Sequence, residues 1–191
     1  MYDVVIIGAG VIGASIFREL TKYNLKIAVV EKENDVAMGA TKANSAIIHA
    51  GYDPRVGSLM AKYNVKGNEM FESLCKELSV PFKRIGSLVL AFNNEELNLI
   101  NTLFINGKNN GVKNLKILSR DEVLLLEPNI SKDIIGALYA PTSGIVGPFE
   151  YTIALMENGY QNGGEVILES EVVSIIKNNN FIIKTKDGKE I

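Results

Sequence analysis

The feature that most constrains this chain is Gly8-Ala9-Gly10-Val11-Ile12-Gly13, which fits the spacing GxGxxG and directly follows the apolar run Val4, Val5, Ile6, Ile7. That run is short and β-branched, as expected of a central parallel strand buried on both faces. Beyond the glycines, Ile12, Ile16, Phe17 and Leu20 recur at helical spacing up to Tyr23 and Asn24, and Ile27 to Val30 form a second apolar run ending at Glu31. The pattern predicts a strand, helix, strand unit. Gly8 permits the tight turn, Gly10 lets the backbone approach a pyrophosphate, and Gly13 lets the helix pack closely on the strand. The helix amino terminus then offers unpaired N–H groups and partial positive charge to a diphosphate without a lysine. Glu31 is placed to accept hydrogen bonds from ribose hydroxyls and to repel a ribose phosphate, which disfavours NADP. The competing reading, an ordinary glycine turn beside a surface carboxylate, has the matching context against it.

The fingerprint does not separate FAD from NAD, because both carry adenosine diphosphate. The residues after Glu31 are more informative. They place Gly39, Thr41, Asn44 and Ser45 in a polar loop, then Ala46, Ile47 and Ile48, then His49-Ala50-Gly51. Hydroxyls, amides and close backbone approach suit a ribityl chain and a flavin edge. An NAD-binding domain stays open at this point, with that loop incidental.

Further along, apolar spacing predicts a long helix from Ser58 to Leu78, ended by Pro81, and a strand from Ser87 to Phe92. Asn93 or Asn94 can cap a helix through about Asn106, with Glu95 and Glu96 in its positive first turn and Asn109, Asn110 and Gly111 closing it. Leu115 to Leu118 reads as a strand, Arg120 to Leu126 as a brief helix capped by Ser119, and Ile135 to Tyr139 as another strand. Pro141 to Pro148 reads as a loop, Phe149 to Asn162 as a helix, and Val166 to Leu168, Val172 to Ile176 and Phe181 to Thr185 as strands. The expected fold class is α/β.

Composition excludes several functions. Acidic and basic residues are interspersed, with a formal net charge of −2, so no basic footprint for nucleic acid is present. A single cysteine, Cys75, excludes an internal disulfide and a Cys-ligated cluster, no metal site is expected, and the thiol reads as buried and structural. The apolar start lacks a preceding basic stretch and is broken by glycines, so it reads as neither signal peptide nor membrane span. A cytoplasmic location is the default expectation, with peripheral membrane association of the whole enzyme left open.

The segments ATKANSAIIHAGYDPRVGSLMAKYNVKGN, VPFKRIGSLVLAF, EVLLLEPNIS and ALYAPTSGIVGPFEYTIAL resemble the glycine/D-amino acid oxidase superfamily of FAD enzymes, and within it the glycerol-3-phosphate dehydrogenase and L-2-hydroxyglutarate oxidase branch. The resemblance spans essentially the whole chain. It implies FAD as cofactor, with Gly8, Gly10, Gly13 and Glu31 on the ADP portion, Thr41, Asn44 and Ser45 at the flavin end, and the backbone of Val172 on the adenine. It implies a doubly wound Rossmann-like FAD-binding domain from residues 1–80 and 144–191, with residues 81–143 beginning an inserted α+β substrate domain. Members continue beyond Ile191, so the chain reads as an amino-terminal fragment whose missing carboxy-terminal part is its partner.

His49, the only histidine, is placed by the resemblance near the isoalloxazine. Imidazole suits acceptance of a hydroxyl proton while hydride leaves the adjacent carbon. A positioning role, or attachment of the flavin, is the alternative. Arg55 and Arg84 are candidates to meet an anionic substrate, though each is more commonly a solvated or structural charge. The expected reaction is FAD-dependent oxidation of glycerol 3-phosphate. The alternatives are oxidation of a 2-hydroxy acid such as L-2-hydroxyglutarate, and a catalytically silent nucleotide-binding module. The electron acceptor stays open.

Overall fold

The computed structural model describes residues 1–191, which divide into two compact units. The first comprises Met1–Ala46, Cys75–Val80 and Gly147–Ile191; the second comprises Ile47–Leu74 and Pro81–Val146. In chain order the elements of the first part are β1 (Val4–Ile7), α1 (Val11–Leu20), β2 (Ile27–Val30), β3 (Ile47–Ile48), α2 (Leu59–Glu77), β4 (Phe82–Lys83) and β5 (Ser87–Ala91). They continue as α3 (Asn94–Asn109), β6 (Lys116–Ser119), α4 (Arg120–Leu126), β7 (Gly136–Ala140), β8 (Gly144–Val146), α5 (Pro148–Gln161), β9 (Glu165–Ile167), β10 (Val172–Lys177) and β11 (Phe181–Thr185).

The first unit is built on a parallel sheet in the order β1-β2-β9, followed by the antiparallel hairpin β10-β11. The strand, helix, strand unit with its parallel register is Rossmann-like. Burial on both faces falls on β2, all four of whose residues are buried, and not on β1 as the apolar run predicts. β1 has a neighbour on one side only, and Ile7 is half exposed.

The periodicity of α1 also misplaces its inner face. Gly13, Ala14, Phe17 and Arg18 are the buried residues, whereas Ile12 is 75% exposed and Ile16 is 45% exposed. Packing decides this. A Cβ at Gly13 would overlap the Gly8 carbonyl, so the helix begins directly against the turn, and the Phe17 ring lies over Gly159 at the end of α5 and over Gly164 beyond it. Arg18 follows Phe17 inward and pairs with Glu19 at 2.9 Å and with Glu77, tying α1 to the last turn of α2.

The second unit holds two three-stranded antiparallel sheets, β3-β8-β4 and β5-β7-β6. Helix α3 packs on β5 and β7, and Ala91, Ile100, Leu138 and Ala140 bury a core between them. Asn93 caps α3 by accepting the Glu96 N–H at 2.9 Å, and Ser119 and Glu122 form a capping box on α4. The predicted loop from Pro141 to Pro148 contains β8, which pairs with both β3 and β4, while Pro148 is already the first residue of α5. Three residues carry no periodicity of their own, so only the long-range pairing reveals this strand. Compactness also groups residues 47–74 with the second unit, because Ala50 is part of its core and Tyr52 and Val65 pack against it.

Burial, with the Cys75 thiol close by, pushes the Tyr151 phenol up to about 12. The unfolded chain gives up this proton near pH 10 and the folded chain does not, so stability is intact below the unfolded value and falls as pH rises toward about 12. The expected loss is about 2 kcal/mol. Urea unfolding across that range should show it, and Tyr151→Phe should remove this part of the slope.

Candidate nucleotide cleft

Leaving β1, the backbone of Gly8 takes φ +100° while its N–H still donates to the Val30 carbonyl at 2.8 Å. The chain therefore stays in register with β2 for one further residue and then turns into α1. Gly10 is the N-cap of that helix and supplies no side chain to it, and the first turn carries no acidic residue. Apart from the Val11 N–H, which a side chain from the following loop takes up, the positive end of α1 faces the space in front of it.

That space is a cleft of about 640 Å³, within the range of small-molecule sites. Gly8, Gly10, Glu31, Thr41, Asn44 and Val172 all line it. Gly13 stands behind its wall, against the Gly8 carbonyl. Ser45 is exposed in the same unit and is not part of the lining. His49 belongs to the second unit; its side chain is exposed and its carbonyl accepts the Asn68 amide at 2.9 Å.

Glu31 is 9% exposed, and both its oxygens already hold backbone: one accepts the Ala9 N–H at 2.7 Å, the other the Glu33 N–H at 3.0 Å. A carboxylate oxygen can accept twice, so each retains a lone pair for a ligand hydroxyl. Thr41 reaches back over thirty residues and accepts the Val11 N–H at 3.0 Å. Its hydroxyl oxygen would lie 3.2 Å from a Cβ at Gly10, so the missing side chain there lets this loop sit close against the helix start without a small displacement. Asn44 closes the loop, donating to the Thr41 carbonyl and accepting the Ala46 N–H at 2.7 Å, which fixes Ala46 at φ +59°.

The rim adds residues that sequence reasoning did not single out: Lys32, Glu33, Ser170 and Glu171. Ser170 donates its N–H to the Glu31 carbonyl at 2.8 Å, which brings the start of β10 beside the end of β2. Lys186 donates to Glu171 at 2.9 Å and holds that carboxyl below its ordinary range. No periodicity or motif marks these positions: Lys32 and Glu33 join the site by following Glu31, and Ser170 and Glu171 by distant chain brought alongside.

The arginines resolve differently. Arg55 is exposed, whereas Arg84 is spent within its own unit on Asn68, Thr142 and Glu72, with Phe82 beneath its guanidinium. Arg84 is a structural charge in this fold. Cys75 is 1% exposed, and burial pushes its thiol up, consistent with an inert packing residue. No group of three or more His, Cys, Asp or Glu is arranged to hold a metal ion, and no helix is long and apolar enough to cross a membrane.

A family profile described as FAD dependent oxidoreductase matches residues 3–191. The chain belongs to the FAD-dependent oxidoreductases. This oxidoreductase chain is 60% identical over 189 residues to a glycerol 3-phosphate dehydrogenase of Caloramator mitchellensis, covering 98% of the chain and 39% of that protein. It is 33% identical over 193 residues to the L-2-hydroxyglutarate dehydrogenase of Escherichia coli K12, covering 45% of it. The structure of the L-alpha-glycerophosphate oxidase from Mycoplasma pneumoniae with FAD bound superimposes with a TM-score of 0.91 at 32% identity, over 97% of this chain and 50% of that one. The chain thus spans about half or less of the length of these relatives.

The Thr41 tie is testable alone. Thr41→Val keeps the shape and removes the acceptor for the Val11 N–H, so the first unit should lose about 1 kcal/mol of stability. Chemical denaturation followed by far-ultraviolet circular dichroism measures it.

Proposed function

We propose that this chain is the cofactor-binding part of an enzyme that oxidises the secondary alcohol of glycerol 3-phosphate. The observation that carries the reading is the convergence of the glycine turn, the start of α1, Glu31 and Thr41 on one cleft in a chain of this family. The cleft fits a dinucleotide on its own chemistry. A helix start whose N-cap, Gly10, supplies no side chain meets a diphosphate beside the one N–H that Thr41 takes up, and a carboxylate with spare lone pairs meets ribose hydroxyls.

In this reading Gly8, Gly10, Gly13 and Glu31 hold the ADP portion, the backbone of Val172 meets the adenine, and Thr41, Asn44 and Ser45 serve the flavin end. FAD, when bound, supplies the acceptor for the hydride leaving the alcohol carbon. His49 accepts the hydroxyl proton, and the electron pair left on the oxygen forms the carbonyl bond as the hydride departs from the carbon. Glycerol 3-phosphate is preferred because the chain is 60% identical to a glycerol 3-phosphate dehydrogenase and resembles two glycerol 3-phosphate oxidases at 36% and 34%. L-2-hydroxyglutarate is the second reading, supported by several dehydrogenases named for it at 32–38% identity. A secondary alcohol beside an anionic group is common to both.

The test is an anaerobic absorption spectrum of the full-length protein before and after either alcohol. Bleaching of the flavin band by glycerol 3-phosphate is expected. Bleaching by L-2-hydroxyglutarate alone would transfer the assignment, and a flavin that neither alcohol reduces would overturn it. In the same protein, His49→Asn should slow flavin reduction by about 10² to 10⁴ while flavin content is retained.

A further inference from the structure

The side chain of His49 is exposed, yet its backbone is held from several directions. Before it, Ile48 is buried and pairs with Gly144 across β3 and β8. Behind it, Ala50 is 2% exposed in the core of the second unit. At the next residue, Gly51 takes φ +101°, and a Cβ there would lie 2.8 Å from Val65 and 3.2 Å from the Asn64 amide oxygen, so the loop runs against α2 with no room between them.

Two side-chain amides then take up the carbonyls. Asn110, at the end of α3, donates to Gly51 O at 3.1 Å and to Pro54 O at 2.8 Å. Asn68, on α2 and 5% exposed, donates both its protons, to His49 O and to Thr142 O, each at 2.9 Å. An amide free to rotate would not hold two carbonyls at once. Arg84 prevents the rotation: it donates to Asn68 Oδ1 at 3.0 Å and to Asn68 O at 2.9 Å, and a further bond runs to Thr142 O. The Asn68 side chain is therefore satisfied on both ends and can be oriented in only one sense.

We propose that Asn68, oriented by Arg84, is a positioning residue that fixes the His49 backbone and through it the direction in which the imidazole points. This rests on the reading of His49 as proton acceptor. A buried, fully bonded amide beneath an exposed functional side chain is the support that a reacting group requires, since small displacements at such a group are costly in rate.

The test is a double-mutant cycle in the full-length, FAD-loaded protein, reading the rate of flavin reduction at saturating glycerol 3-phosphate. Asn68→Ala should slow reduction by about tenfold to hundredfold with KM little changed, and should add little to His49→Asn. The second readout is the imidazole resonance, in histidine-labelled protein, that His49→Asn abolishes; it should shift or broaden in Asn68→Ala. Arg84→Met leaves Asn68 in place and removes only the group that orients it, so it is read in the same way and decides the matter if Asn68→Ala does not fold. Equal slowing in both backgrounds with the resonance unmoved would overturn the positioning role and leave His49 as the base. A His49→Asn protein as fast as the parent would overturn the base itself, which is a distinguishable result.

Discussion

The close approach of α1 to the Gly8 carbonyl is the constraint on which the first unit depends. With no side chain at Gly13 the helix starts immediately against the turn, and this fixes its axis relative to β1 and β2. From that placement Phe17 descends onto Gly159 and Gly164, which brings α5 against α1 and leads the chain into β9 beside β2. The same placement aims the positive end of the helix into the cleft. Packing at one end of α1 and ligand chemistry at the other are consequences of a single steric allowance.

The polar residues of the cleft serve structure and function together. Glu31 binds the amides of Ala9 and Glu33, which shapes the turn on one side and the chain leaving β2 on the other. Thr41 accepts the Val11 N–H and so attaches the following loop to the helix start. Buried carboxylates and hydroxyls need such partners. These bonds keep the donors and acceptors preorganised, so that little reorganisation is required when a ligand arrives.

The second unit uses amides where the first uses a carboxylate. Asn68 and Asn110 grip backbone carbonyls of the segment around Ala50, and Arg84 locks the first of them. Arginine has five donors in a rigid plane, which suits four acceptors converging from α2 and from the chain before β8. An arginine that reads in sequence as a candidate for an anionic substrate is thereby committed to acceptors within its own unit.

The sequence by itself determined the strand, helix, strand unit, the glycine turn and the position of Glu31, because each depends on residues close along the chain. The caps at Asn93 and Ser119 and the hairpin ending at Phe181 to Thr185 were legible for the same reason. Only the tertiary structure decided which face of α1 is buried, since Ile12 and Ile16 are as apolar as Phe17 and differ from it in what lies opposite. It also decided the existence of β8, whose three residues are a strand through partners at Ile47 and Phe82, and the role of Arg84, whose acceptors lie up to 58 residues away. Local propensity sets what a segment can form; distant chain, brought alongside, sets which of its groups remain free for function.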